Sequence, residues 1–385
     1  MVGLAHGLSH FFQLALPPLF PFLKDAFDVS FAALGSLVAT FYVASGLTQF
    51  AAGFVVDRIG ARPVLLAGSG LIVGGALLAG AAPAFHWLYP AALLMGIGNG
   101  VFHPADFAIL NGRVAPERLG MAYSIHGVGG NLGFALAPLV SYALGAAFGW
   151  RIALFAMGGF GAAVWALLAW QRATLRCSHR GGAQRATIGG SFGVLWQAPI
   201  LLCFAYFLVA TMATSGLMSF APMIFERGYG IALVAGAATL TGYLLGSTAG
   251  IIAGGVLATR SARHAAIASA GLLTAALLIV ALASSDLMRT ALAPVFAITG
   301  FALGITGPSR DLIVRAATPS GAAGRVYGFV YSGLDVGGTL GPLAIGFMLD
   351  HGAARSVLYA VATCLVVAIG TVLNVGRVRT RQAIA

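Results

Sequence analysis

Charged side chains are scarce in this chain: Asp, Glu, Lys and Arg make up 8% of 385 residues, against roughly 25% in a soluble globular domain. That shortage excludes an ordinary water-facing surface. Acidic residues are the scarcer kind, 10 against 21 basic, which leaves a net charge of +11. A basic balance would suit nucleic acid only if the cations gathered on one face, and here they recur in every second loop, so no nucleic-acid partner is expected. Cysteine is nearly absent. Cys177 falls in a basic loop and Cys203 and Cys364 in apolar runs, with no paired framework and no Cys-x-x-Cys spacing. The phosphate-binding Gly-Lys-Ser/Thr loop is missing, which excludes nucleotide drive of the usual kind, and so is any soluble stretch long enough to fold alone. No acid and base flank an obvious nucleophile, so neither an enzyme nor a cofactor is expected.

What fills the chain instead is apolar: 59% hydrophobic residues and a mean hydropathy of +0.94. A span needs about 20 mostly apolar residues to cross ~30 Å of hydrocarbon. Runs broken by Pro, Gly or charge predict twelve spans, at roughly 3–23, 31–56, 64–83, 87–110, 119–146, 151–171, 196–222, 231–257, 264–283, 290–313, 326–349 and 354–376. The first run has no charged leader before it and reads as a retained span. With the N-terminus inside, Lys24, Arg151, Arg227, Arg289 and Arg355 lie outside, Arg310 lies in a span, and the other fifteen of the 21 basic residues lie inside. The positive-inside rule then predicts a multi-pass protein of a bacterial inner (cytoplasmic) membrane with both termini cytoplasmic.

The two halves echo each other at an offset near 204 residues. Gly129-Gly130-Asn131-Leu132-Gly133 returns as Gly337-Gly338-Thr339-Leu340-Gly341, Pro104 as Pro308, and Gly53 with Arg58 as Gly255 with Arg260. This is the parallel-repeat signature of a transporter. It predicts an all-α membrane protein of two pseudo-symmetric six-helix bundles, residues 1–171 and 196–385, joined by a cytoplasmic linker at 172–195. Spans three, six and nine are nearly pure Leu, Ala, Gly and Val. Spans one, two, four, eight, ten and eleven carry polar stripes at helical spacing, which predicts that they face a central cavity.

The loop after span two reads Gly53-Phe54-Val55-Val56-Asp57-Arg58-Ile59-Gly60-Ala61-Arg62-Pro63. It resembles the loop signature of the major facilitator superfamily. The resemblance implies that Gly53, Asp57, Arg58, Gly60 and Arg62 form a cytoplasmic gate, with glycines for close helix approach and Asp57 as a latch. The second half has Thr259 where the first has Asp57. Val101-Phe102-His103-Pro104, Gly120-Met121-Ala122-Tyr123-Ser124 and the glycine run beginning at Gly127 look like the fosmidomycin resistance exporters of that superfamily, as do His6, Gln13 and Pro21. Where those exporters carry an acid directly after the Pro, this chain has Ala105 and then Asp106; where their first span carries an acid, it has His10. The resemblance implies proton-coupled efflux of a small polar or anionic compound by a monomer in membrane lipid, with protons as the coupling partner.

Ionisable groups at membrane depth are costly and are usually functional or paired. Arg310 and Asp335, on neighbouring spans at similar depth, are the sharpest expected pair. Arg310 suits an anionic substrate, with Gln13, Asn99, Tyr243, Tyr327 and Tyr331 as further substrate contacts. Asp311 points about 100° away on an ideal helix and reads as structural. Asp106, His103, His126, His10 and Asp335 are the expected proton-coupling residues. His6 and His10, one turn apart, could join a metal site, but the spacing alone is weak and no metal site is assigned. Uptake of a carboxylate-type metabolite, which Arg310 also fits, metal-ion transport and a non-transporting sensor are the alternative readings. The orientation has a direct check: alkaline phosphatase fused after Ala385 should show no periplasmic activity, whereas a strongly active intact fusion would invert the topology.

Overall fold

The computed structural model describes residues 1–115, 119–175, 192–284, 288–319 and 323–384, with the side chains of Asp57 and Tyr327 outside that description. All regular secondary structure among the described residues is helical. Contacts divide the chain into two units, Met1–Ile188 and Gly189–Ala385. Residues 176–191 of the expected linker lie outside the described residues. Among the described residues, eleven helical stretches are long and apolar enough to span a membrane, and a broken N-terminal segment makes the twelfth.

That first segment departs from the expected continuous span at 3–23. Helix α1 runs Val2–Gln13, a 3-10 turn covers Pro17–Leu19, and α2 covers Phe20–Phe27. Pro17, Pro18 and Pro21 have no N–H to give, so an uninterrupted hydrogen-bond ladder cannot pass through them. Span four breaks for the same reason. Helix α5 (Leu88–Gly100) yields to α6 (Phe102–Arg113), because Pro104 cannot donate to the carbonyl of Gly100, four residues back. The remaining helices of the first unit are α3 (Phe31–Ile59), α4 (Ala61–Gly80), α7 (Leu119–Phe148) and α8 (Trp150–Trp170). Ser30 caps α3 by accepting from the Ala33 N–H at 3.0 Å. Gly60, at φ 88°, turns the chain from α3 into α4 within one residue.

The second unit is α9 (Ala198–Tyr229), α10 (Leu233–Arg260), α11 (His264–Ser284), α12 (Met288–Ala317), α13 (Ala323–Asp350) and α14 (Ala354–Ile384). Its packing repeats that of the first. Helix α1 packs on α7 as α9 packs on α13; α3 on α5 as α10 on α12; α4 on α5 and α8 as α11 on α12 and α14. The arginines near the start of α8 and α14 correspond but take different acceptors: Arg151 Nη2 donates to the Ala82 carbonyl after α4 at 2.6 Å, and Arg355 Nε, 204 residues on, to the Gly228 carbonyl of α9 at 2.8 Å.

Lipid is as apolar as leucine, so helices in a bilayer associate through close packing rather than through water exclusion, and small residues favour it. A Cβ on Gly129 would lie 2.5 Å from the Gly3 carbonyl oxygen, and one on Gly7 would lie 2.8 Å from that of Gly129. In the second unit, a Cβ on Gly333 would lie 2.8 Å from the Phe204 carbonyl oxygen. Gly53 differs. Nothing among the described residues comes within 4 Å of its Cβ position, so the expected close approach is not made there. Gly129→Ala should force α1 off α7 and destabilise the protein by about 1–3 kcal/mol. Gly159→Ala, whose Cβ meets nothing within 4 Å, is the control. Thermal melts of the purified protein should show Gly129→Ala melting several degrees lower and Gly159→Ala unchanged; equal melts would contradict this account of the α1–α7 contact.

Candidate functional site

Two polar groups stand out, one in each unit. In the first, α1 brings His6 and His10, α6 brings His103 and Asp106, and α7 brings His126. Asp106 is fully buried, and His6 and His126 are 3% and 5% exposed. His6 Nδ1 lies 3.3 Å and His126 Nδ1 3.8 Å from Asp106 Oδ2. The His6 ring centre is 3.7 Å from that of His126, 4.3 Å from His10 and 5.2 Å from His103. Gly130 makes room for this group, since a Cβ there would fall 2.7 Å from His6 Cδ2 and 3.1 Å from His10 Cε1. On α6, Asp106 is buried while His103, one turn earlier on the same face, is exposed. The structure thus brings together His103, Asp106, His126 and His10. At their centre stands His6, which the sequence offered as a possible metal-site partner of His10, one turn on, but not among the proton-coupling residues.

A hydrogen-bonded relay lies deeper in the same unit. Ser9 Oγ donates to Asn99 Oδ1 at 2.6 Å, and Asn99 Nδ2 donates to Ser45 Oγ at 2.9 Å. Gln13 Nε2 donates to the Tyr42 hydroxyl at 3.1 Å. Asn99 and Gln13 therefore tie α1 to α5 and α3 as they stand. A cleft of about 510 Å³ along α1, α7 and α8 is lined by apolar residues such as Leu4, Phe11, Leu132 and Phe160, and takes in none of the expected substrate contacts.

In the second unit the expected pair between Arg310 and Asp335 is not formed among the described residues. Arg310 Nε donates to Asp311 Oδ1 at 2.9 Å, and the Tyr331 hydroxyl donates to the same oxygen at 3.1 Å. Adjacent side chains leave a helix about 100° apart, but the three-methylene stem of arginine bends across that gap, so Asp311 is the partner. Arg310 also stacks its guanidinium 4.6 Å from the Phe207 ring centre. The two charged side chains remain 30% and 45% exposed. Tyr243, expected to touch substrate, is 4% exposed with its ring 5.2 Å from that of Phe296, packed into the unit's core. Its position on α10 faces the α12 contact, where an aromatic fills space better than it can reach a cavity. The Tyr327 and Asp57 side chains fall outside the described residues. Of the remaining gate residues, Arg58 is exposed and Arg62 half-buried.

Comparisons agree with this architecture. The family model for the Major Facilitator Superfamily matches residues 2–241 and 237–382. The fosmidomycin resistance protein of Escherichia coli K12 is 27% identical over 356 residues, 91% of this chain and 86% of that one. A hexuronate transporter of Bacillus subtilis is 22% identical over 94% of this chain and 90% of its own. In fold, the chain is similar to a crystal structure of a bacterial homologue of the human lysosomal transporter Spinster, in an inward-facing, unoccupied conformation. That likeness has a TM-score of 0.82, 18% identity, and coverage of 98% of this chain and 95% of that one. The two matched segments together run almost the length of the chain, and the chain belongs to the Major Facilitator Superfamily.

Proposed function

We propose that this transporter exports a small anionic compound in exchange for protons, by alternating access in the bacterial inner membrane. The carrying observation is the Arg310–Asp311–Tyr331 group. A guanidinium stays charged at any physiological pH and must have an anion nearby. Among the described residues it donates only through Nε, which leaves the two Nη groups, a fork suited to a carboxylate, phosphonate or phosphate. Asp311 holds the fork's place and, being half-exposed, is free to yield to an incoming anion. The likeness to the fosmidomycin resistance protein supports efflux. The hexuronate transporter, equally long in its match, supports uptake of a carboxylate as the second reading.

The absence of a nucleotide-binding loop leaves an ion gradient as the energy source. Asp335 has no ion-pair partner among the described residues, and we assign it the coupling proton. The loop from Gly53 to Arg62 serves as the cytoplasmic gate in this reading, with Asp57 as its latch.

Four measurements test it. Arg310→Lys keeps the charge and loses the fork, so binding of a phosphonate of the fosmidomycin type should weaken at least about 10-fold, the scale of one charge-assisted hydrogen bond. Arg310→Gln combined with Asp311→Asn removes both charges; if this double variant transports normally, the pair is structural and the proposal fails. Asp335→Asn should abolish proton-driven accumulation of the probe in everted vesicles while sparing counterflow, and intact proton-driven transport would remove Asp335 from the coupling role. Asp57→Asn should slow transport more than it weakens binding, and a wild-type rate would leave the loop with a topogenic role alone.

A further inference from the structure

The geometry points to a binding site for a divalent transition-metal ion of the zinc class, formed by His6, His126 and Asp106 in the first unit. Two imidazole nitrogens and one carboxylate oxygen suit such an ion, whereas magnesium and calcium favour an all-oxygen shell. One donor atom from each residue lies within 4.8 Å of the others. A tetrahedral ion with bonds of ~2.0–2.1 Å needs its donors about 3.3–3.4 Å apart. His6 Nδ1 and Asp106 Oδ2 already stand at 3.3 Å, and His126 Nδ1 stands 3.8 Å from the same oxygen. The His6 and His126 rings are stacked 27° from parallel with centres 3.7 Å apart, so their in-plane lone pairs run side by side, and one ring must turn about its Cβ–Cγ bond for both to reach one ion.

The second observation is independent of distance. His6 Nδ1, His126 Nδ1 and both carboxylate oxygens of Asp106 are buried and complete no hydrogen bond among the described residues. Buried polar atoms without partners are costly and rarely kept without a reason. A cation at their centre satisfies all three side chains together. His10 Nδ1, one turn along α1, is likewise buried and unbonded but lies outside this three-donor group. His103, exposed and 5.2 Å from His6, offers a way in. The ligands come from three helices: α1 and α7 meet through their glycines, and α6 carries Asp106 fully buried beside both histidines. This site lies in a different unit from Arg310 and does not depend on what Arg310 binds.

The test uses the full chain, purified in detergent with a streptavidin-binding tag and stripped with chelator. Cobalt(II) is the probe. One equivalent should produce the strong visible d–d bands of a four- or five-coordinate ion, zinc(II) should displace it, and magnesium should not. His6→Ala, His126→Ala and Asp106→Asn should each weaken binding at least about 10-fold, as loss of a ligand does. Changing His86 or His351, both exposed and remote in sequence, should not. Strong bands in the wild-type protein that survive all three substitutions would place the ion elsewhere and overturn the proposal. Absence of those bands in the wild type would overturn it without reference to any variant, so a variant that fails to fold leaves the question decided.

Discussion

Backbone meets backbone where α1 crosses α7, and again where α9 crosses α13. In a bilayer no water drives two helices together, so contact at that range is the main source of cohesion, and it is open only where Cβ is missing. Gly7 and Gly129 in the first unit and Gly333 in the second supply those gaps. The rest of the site architecture depends on this approach. If α1 stood one side-chain layer farther from α7, His6 and His126 could not stack at 3.7 Å, and Asp106 would keep only His126 beside it.

The two units answer the cost of burying polar groups in different ways. The second pairs its charge: Arg310 rests on Phe207 and gives Nε to Asp311, which also takes the Tyr331 hydroxyl. The first clusters four imidazoles, two of them beside the Asp106 carboxylate, and leaves several of their atoms unbonded. The repeat in helix packing is therefore not a repeat in chemistry. One scaffold, used twice, carries a histidine–carboxylate cluster in its first unit and an arginine–carboxylate pair in its second, as expected when side-chain chemistry is grafted onto a fold rather than dictated by it.

Proline interrupts the helix that carries one of those groups. The break at Pro104 ends α5 and lets α6 start anew, with His103 exposed and Asp106, one turn on along the same face, fully buried. Pro308, its counterpart 204 residues on, lies inside α12 without ending it, two positions before Arg310. Broken or bent helices at membrane depth are tolerated where neighbouring groups or a cavity take up the freed carbonyls, which is why such positions collect functional side chains.

Span number, helical class, the internal repeat and superfamily membership were all legible in the sequence, because each follows from local composition or spacing: apolar runs of membrane length, an offset near 204, a loop beginning at Gly53. The gathering of His103, Asp106 and His126 was legible too, from helical depth. Three things were decided only by tertiary structure. The first span is two helices, since consecutive prolines override a hydropathy that runs straight through them. Arg310 takes Asp311 rather than Asp335, since a flexible stem reaches where an ideal helical angle says it should not. His6 stands at the centre of its cluster, since no periodicity along one helix reveals which residue of another helix, more than a hundred positions away, lacks the Cβ that would have kept them apart.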